Sequence, residues 1–327
     1  MELLKAIELT PDIPISRIGN IAKLAESSGF DTIFVSCHYN NRDPFITLAH
    51  IATLTDSLRI GPGVVNPYTS HILTLASQMA TLSELSSGRA ILGIGAGDRS
   101  TLSHFNIERS NPLRNISKTI ELLKSLWGGN TVTNMDSQKT LSMENASLNF
   151  PVENIPIYVG TQSENILKLS TSIADGVLFN TANIDDLSTA YQQAQTSLSS
   201  SKIPSDEFDF SAQVCVSVDS NLDKAKEAVL PSVAFIVGGA SIEFLQFHNI
   251  DLETSKSIRN SIQQGQFKQA FNQVNSDMID AFSICGTPDT VYERLSAVHK
   301  CTNSLVVGYP IGPDLETAIP LIGSFIE

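Results

Sequence analysis

The chain has 327 residues, enough for one large barrel or two ordinary domains, and its 42% content of hydrophobic residues is that of a globular protein. Its charge is acidic, because 34 Asp and Glu residues against 21 Lys and Arg residues give a formal net charge of −13. A negative surface repels phosphate backbones and anionic lipids. Neither nucleic acid nor a membrane is therefore an expected partner.

The first residues and the cysteines predict a cytoplasmic protein. Glu2, Lys5 and Glu8 interrupt the apolar stretch that a secretion signal needs, and no apolar run approaches the ~20 residues that span a bilayer. The cysteines lie far apart and form no CxxC pair: Cys37, Cys215, Cys285 and Cys301. This spacing is typical of reduced thiols rather than of a disulfide framework or a zinc site, so we expect no metal.

The first half of the chain alternates short β-branched segments with helical segments. The predicted strands cover residues 3–9, 31–35, 58–61 and 90–95. The predicted helices cover residues 16–28, 44–56 and 71–87. Gly29 and Gly88 end the first and the last of these helices. Apolar strands that alternate with helices indicate a parallel sheet covered by helices.

The same alternation returns in the second half. The predicted strands there cover residues 155–159, 176–179, 208–218 and 303–308, and the predicted helices cover 163–173 and 315–325. Roughly eight strand–helix units result, the number that closes a (β/α)8 TIM barrel. An open, doubly wound sheet is the alternative, although no G-x-G-x-x-G follows the first strand.

Two segments depart from this alternation. Residues 131–150 are polar and irregular, which favours an excursion such as a hairpin. Residues 230–281 are mostly helical and predict an insertion beside the barrel. We expect one domain that spans residues 1–327.

Barrel enzymes carry their active sites at the carboxyl ends of the strands, where polar residues have the greatest weight. Glu8 lies at the end of the first predicted strand. A carboxylate inside a barrel mouth has a raised pKa and serves as a general acid. The alternative is a salt-bridged glutamate at the rim.

The loops after the second, third and fourth strands carry further candidates. His38 belongs to a polar loop, residues 36–41, which is either a ligand contact or a simple turn. Gly63 permits the close approach of a flat ligand, or else a tight turn between two prolines. Residues 93–98 bring backbone amides and the Asp98 carboxylate to the mouth.

Two later loops resemble the paired phosphate loops of late barrel strands. Residues 160–163 precede a predicted helix, whose dipole favours an anion at that end. Asn180 and Thr181 follow the next strand. The alternative is that Ser163 only caps its helix.

Several segments recur in the order found in one family. They are Glu8, His38-Tyr-Asn-Asn41, Gly61-Pro-Gly-Val64, Asn66-Pro-Tyr68, Leu85-Ser-Ser-Gly-Arg-Ala90, Gly93-Ile-Gly95, Gly97-Asp98, Ile155-Pro-Ile-Tyr158, Gly286-Thr-Pro288 and Pro310-Ile-Gly-Pro-Asp314. Together they resemble the methylenetetrahydromethanopterin reductase family, within the bacterial-luciferase-like superfamily. The resemblance covers nearly the whole chain.

The resemblance implies a barrel that binds the deazaflavin coenzyme F420 and reduces a methylene-tetrahydropterin, with Glu8 as the acid for the pterin nitrogen and Asp98 arranging coenzyme or substrate. It also implies a non-prolyl cis peptide at Gly63-Val64, behind the deazaflavin. The coenzyme contacts that it implies are His38, Gly63, Val64, Asn66, Gly160, Thr161, Gln162, Asn180 and Thr181. Family habit further predicts a homodimer or homotetramer.

The chain departs from the family pattern at three places. Cys37 stands where the family has Asp, Ala96 stands where it has Pro, and Ser163-Glu164 replaces Gly-Pro. Coenzyme class is therefore better supported than substrate identity. The alternatives are an F420-dependent enzyme for an alcohol or a sugar phosphate, a flavin mononucleotide-dependent monooxygenase, and a deazaflavin- or flavin-binding protein without turnover.

Overall fold

A computed structural model of the chain describes residues 5–152 and 154–325. Its strands are β1 (Lys5–Leu9), β2 (Thr32–Val35), β3 (Arg59–Pro62), β4 (Leu92–Gly95), β5 (Val132–Asn134), β6 (Met143–Ala146), β7 (Ile157–Thr161), β8 (Gly176–Asn180), β9 (Asp209–Val218), β10 (Ile284–Gly286) and β11 (Ser304–Ile311). The first predicted strand began at residue 3, and residues 3 and 4 lie outside the described residues.

One or more α-helices follow each of these strands except β5 and β6. The helices are α1 (Ile15–Ser27), α2 (Pro44–Ala52), α3 (Ile72–Leu85), α4 (Arg99–His104), α5 (Pro112–Trp127), α6 (Glu164–Ile173), α7 (Ile184–Leu198), α8 (Leu222–Gly239), α9 (Ile242–Phe247), α10 (Leu252–Gln263), α11 (Phe267–Phe271), α12 (Ser276–Phe282), α13 (Pro288–His299) and α14 (Leu315–Gly323).

Eight parallel strands form a closed barrel. Hydrogen bonds link them in the order β3-β2-β1-β11-β9-β8-β7-β4. Two parallel bridges, Ile60 to Ala90 and Val65 to Ile94, join β3 and its exit loop to β4 and close the ring. The predicted TIM barrel is therefore confirmed, and the open doubly wound sheet is excluded.

Strand alternation divides the apolar residues between two cores. Alternate residues such as Ile7, Ile33 and Ile60 point outward and pack against the surrounding helices in the larger core. The barrel interior holds a smaller cluster, formed by Ala6, Phe34, Ile91, Tyr158, Leu178 and Val306. On β1 the alternation that turns Ala6 inward also turns Glu8 inward, one layer nearer the carboxyl end.

The second predicted helix is shorter than expected. It was predicted to reach residue 56, but α2 ends at Ala52. The Glu26 carboxylate on α1 accepts hydrogen bonds from the amides of Asp56, Ser57 and Leu58, so the chain leaves the helix to reach it. These hydrogen bonds join residues that are far apart in the sequence, and they compete with helix propensity. No local sequence pattern therefore predicts that the helix ends early.

Both departures from the barrel alternation correspond to real excursions. Strands β5 and β6 pair as an antiparallel hairpin within the segment predicted to contain one. Helices α8 to α12 form a second hydrophobic cluster beside the barrel. This helical segment begins at Leu222, earlier than the predicted residue 230, because the Asn221 side chain caps α8.

The exit of β3 packs tightly against its neighbours. Gly63-Val64 is a cis peptide, as predicted. Val64 fills the space left by three glycines, since added Cβ atoms on Gly93, Gly95 and Gly160 would lie 3.0, 2.7 and 3.0 Å from its methyl groups. These glycines of β4 and β7 therefore make room for the β3 exit inside the barrel.

Gly93→Ala is expected to destabilise the barrel by ~1–3 kcal/mol, the usual cost of overpacking. The added Cβ would lie 2.4 Å from the Pro62 carbonyl oxygen, a backbone atom that cannot move without shifting β3. Urea unfolding measures the change. Gly239→Ala at the end of α8 is the control, because nothing lies within 4 Å of its added Cβ. Equal stability of the two variants would contradict this packing.

Candidate active site

Glu8 and Gln213 meet inside the carboxyl end of the barrel. The Gln213 amide on β9 donates a 2.6 Å hydrogen bond to Glu8 Oε2. Gly308 on β11 leaves space beside this pair, since a Cβ there would lie 3.4 Å from Glu8 Oε2. The carboxyl is thus held by one side-chain donor, and the predicted alternative of a salt-bridged rim glutamate does not apply in the described part of the chain.

Burial sets the protonation of Glu8. Removal of the carboxylate from water raises its pKa from 4.5 to about 7, and the hydrogen bond from Gln213 acts in the opposite direction. Near neutral pH both the acid and the base form are populated. A carboxyl poised in this way matches the working pKa of a general acid.

Two thiols adjoin this carboxyl. Burial, with a contribution from the negative charge of Glu8, raises the pKa of Cys37 to about 12. Burial also raises the pKa of Cys215 to about 12, with a smaller contribution from Glu8. Both side chains are therefore neutral at neutral pH. This agrees with the interpretation of Cys37 as an unactivated thiol, and it leaves Glu8 next to uncharged sulfur.

His38 and Asp98 lie together at the rim of the mouth. The protein around the His38 ring lowers its pKa by disfavouring the imidazolium, while the Asp98 carboxylate acts in the opposite direction. Asp98 also caps α4, because its Oδ2 accepts a 2.6 Å hydrogen bond from the Thr101 amide. It is exposed and separate from the buried Glu8.

Asn66 shapes the loop that follows the cis peptide. Its Oδ1 accepts hydrogen bonds from the amides of Tyr68 and Thr69, at 3.0 and 3.1 Å. The side chain lies 3.3 Å from the position of a Cβ on Gly97, which has a positive φ of 74°. Asn66 therefore braces the exits of β3 and β4 against one another.

The loop after β7 has donors that no side chain caps. Ser163 precedes α6 but makes no capping hydrogen bond with its side chain. Thr161 Oγ1 instead accepts a 2.8 Å hydrogen bond from the Ser163 amide. The exposed Gln162 donates to the Asn180 carbonyl of the neighbouring strand β8 at 2.7 Å. The first-turn amides of α6 are consequently available to an anion.

In the loop after β8, more of the polar groups have hydrogen-bond partners within the protein than in the loop after β7. Thr181 is buried, and its hydroxyl donates to Asp186 Oδ2 at 3.3 Å and accepts from the Asn183 amide at 3.2 Å. Asp186 also bonds His248 Nε2 at 2.8 Å, which ties α7 to the helical segment. Since Asn183 caps α7, the donors at this helix end are already satisfied. The α6 end is therefore the more open of the two.

Sequence reasoning missed Gln213 and Asp209, two interior polar residues of β9. Tyr158 and Ser211 donate to Asp209 Oδ2 at 2.9 and 3.0 Å, near the amino end of the barrel. The alternation of Asp209, Ser211 and Gln213 with apolar residues is a signal that one face of β9 lines the barrel interior. It does not say which strand Gln213 faces.

The described ranges hold neither a cluster of metal-ligating side chains nor a membrane-spanning helix. Residues 5–152 and 154–325 contain no group of three or more His, Cys, Asp or Glu side chains arranged to hold a metal ion. No helix in these ranges has the length and apolarity needed to cross a bilayer.

Comparison with known proteins assigns this barrel to a class. The profile of the luciferase-like monooxygenase family matches residues 4–302. A solved structure, an F420-dependent secondary alcohol dehydrogenase, superposes with a TM-score of 0.82 over 99% of this chain and 98% of its own at 17% identity, which supports the fold alone. The fold is thus that of the luciferase-like barrels.

Two reductases are similar in both sequence and length. The 5,10-methylenetetrahydromethanopterin reductase of Methanolobus tindarius is 38% identical over 322 residues, 98% of both chains. The F420-dependent tetrahydromethanopterin reductase of Methanopyrus kandleri superposes with a TM-score of 0.89 at 35% identity, over 99% of this chain and 98% of its own. The chain belongs to the 5,10-methylenetetrahydromethanopterin reductase family of luciferase-like barrels.

Gln213→Met is expected to raise the pKa of Glu8 by about one unit, since loss of a hydrogen bond to a charged group disfavours that charged form. Glu8 would then stay protonated to higher pH. Difference infrared spectroscopy follows the protonated carboxyl through a pH titration, with Glu8→Gln identifying the band.

His38→Gln is the control for this titration, because it removes a titrating group at the rim of the mouth and leaves the Glu8 pair intact. Its Glu8 band should titrate as in the parent protein. A downward shift in Gln213→Met would show that the hydrogen bond does not stabilise the carboxylate.

Proposed function

We propose that the chain catalyses hydride transfer from reduced coenzyme F420 to 5,10-methylenetetrahydromethanopterin, giving the 5-methyl product. The observation that carries this proposal is Glu8, a barrel-interior carboxyl with a pKa of about 7 held by Gln213. The family supplies the reaction class, and Glu8 supplies the proton that this reaction requires.

The residues around the mouth fit a flat, anionic coenzyme. The first turn of α6 offers backbone donors that no side chain caps, beside Gln162 and Asn180. We assign the coenzyme's phosphate to this loop, with Gly160 and Thr161 at its base. Thr181 acts behind it by fixing the start of α7.

The β3 exit supplies the floor for the ring of the coenzyme. Val64 is held in the interior by the β4 and β7 glycines. Gly63 and Asn66 flank it, and His38 lies at the rim on the β2 side. When bound, reduced F420 supplies the hydride. The chain's own part is to orient the two reactants and to exclude water from the reacting carbon.

Proton transfer is the chemical role of Glu8. Hydride addition to the methylene carbon breaks one carbon–nitrogen bond, and the released nitrogen takes a proton from the Glu8 carboxyl. Gln213 stabilises the carboxylate that remains, because its amide already donates to Oε2. Asp98 orders the rim by capping α4. Reprotonation of Glu8 from solvent then restores the starting state.

Glu8→Gln is expected to lower turnover by roughly 10²–10⁴-fold while leaving the KM for F420 nearly unchanged, because the amide has no acidic proton to give. Deazaflavin absorbance measures the rate with the pterin present and absent. Glu121→Gln is the control, since that side chain is exposed on α5.

An unchanged rate in Glu8→Gln would remove this residue from the mechanism. Turnover of a secondary alcohol or a sugar phosphate in place of the pterin would contradict the proposed substrate. Oxygen consumption supported by flavin mononucleotide would contradict the proposed coenzyme.

A further inference from the structure

A short segment after β4 places aromatic and cationic side chains beside the mouth. Helix α4 begins directly after Asp98. Its carboxyl end contacts the loop that follows β2. The ring of Tyr39 lies 5.0 Å from that of His104 and 5.8 Å from that of Phe105. Tyr39 and Phe105 remain 53% and 46% exposed, which leaves apolar surface uncovered at the entrance.

Two arginines converge on the same segment. Arg109 Nη1 donates a 3.1 Å hydrogen bond to the Gly97 carbonyl at the exit of β4. Its Nε is buried and has no hydrogen-bond partner. Arg99 is the exposed first residue of α4. Among residues 5–152 and 154–325, no carboxylate forms an ion pair with either arginine.

The charges of this segment repel one another. Burial and the neighbouring charge of Arg99 lower the pKa of Arg109, while Tyr68 and Asp98 act in the opposite direction. The Asp98 carboxylate is already engaged at the Thr101 amide. An anion between the two guanidinium groups would relieve this repulsion and accept hydrogen bonds from donors that are unused.

We propose that Arg99 and Arg109 bind a phosphate or carboxylate group on the side chain of the pterin substrate, while Tyr39 and Phe105 contact its apolar part. This inference rests on the proposed function and adds a substrate subsite to it. The coenzyme's phosphate has its own donors at the start of α6, after β7. The arginine pair instead adjoins the β2 loop, through the contact of Tyr39 with α4.

Arg99→Gln and Arg109→Gln test the subsite. Each is expected to raise the KM for the pterin by about 10–100-fold, the effect of losing a hydrogen bond to a charged group. The kcat and the KM for F420 should stay within about twofold. Arg109→Lys keeps the charge and should recover part of the loss. Arg99 is exposed, so its replacement leaves the fold intact even where a change at Arg109 does not.

Two controls separate this effect from general charge and from loop structure. Lys118→Gln removes one positive charge from α5, where Lys118 pairs with Glu121, and should leave the KM for the pterin unchanged. A pterin substrate lacking its anionic group should have the same KM with the parent enzyme and with Arg99→Gln. A purely structural arginine would instead impair both substrates equally.

Calorimetric binding of the pterin in the absence of F420 distinguishes this inference from the proposed function. Arginine-dependent binding of the pterin without turnover would contradict the proposed reaction but support the arginine subsite. Turnover with a KM that neither arginine affects would overturn the subsite and keep the function. A rise in the KM for F420 alone would assign the arginines to the coenzyme and overturn the inference, and absence of both binding and turnover would overturn both.

Discussion

The mouth of the barrel is organised around one buried carboxyl group, which must be accommodated in the apolar interior. Glu8 is turned inward by strand alternation on β1 and meets one side-chain donor, Gln213. Its burial costs free energy in the charged form, which is why its pKa lies near 7. Asp209, at the other end of the interior, accepts hydrogen bonds from the hydroxyl groups of Tyr158 and Ser211, and burial raises its pKa as well. Two buried carboxyls thus lie inside the barrel, and Glu8 is the one at the carboxyl end of the strands.

The glycines of the mouth serve packing as much as ligand contact. Gly93 and Gly95 follow a pattern that suggests a nucleotide loop, yet their missing side chains make room for Val64. The same holds for Gly160 on β7. Because β4 must lack two Cβ atoms and β7 one for Val64 to enter the interior, the space around the β3 exit is built jointly by β3, β4 and β7. In the proposed function, phosphate recognition falls to the backbone amides at the start of α6.

Charge is distributed unevenly around this site. The chain as a whole carries a net charge of −13, but Arg99 and Arg109 lie close together at the mouth. Near Glu8 itself lie two thiols, the partly buried Cys37 and the buried Cys215, whose raised pKa values leave them uncharged near neutral pH. A neutral interior and a cationic rim suit a reaction in which a proton is given inside the barrel while an anionic part of the substrate stays at its edge.

Local pattern by itself determined the eight barrel strands and the helical segment, because hydrophobic periodicity and helix-ending glycines mark them. The polar, irregular composition of residues 131–150 indicated the hairpin. It also placed Glu8 at the end of β1. Tertiary structure alone decided the end of α2, where Glu26 captures distant amides, and the choice of Gln213 as partner of Glu8. Residues 205 positions apart meet only when the barrel closes, and no local signal encodes that register. The hydrogen bond between Arg109 and the β4 exit could not be predicted for the same reason. That contact depends on how a loop folds back over the strands.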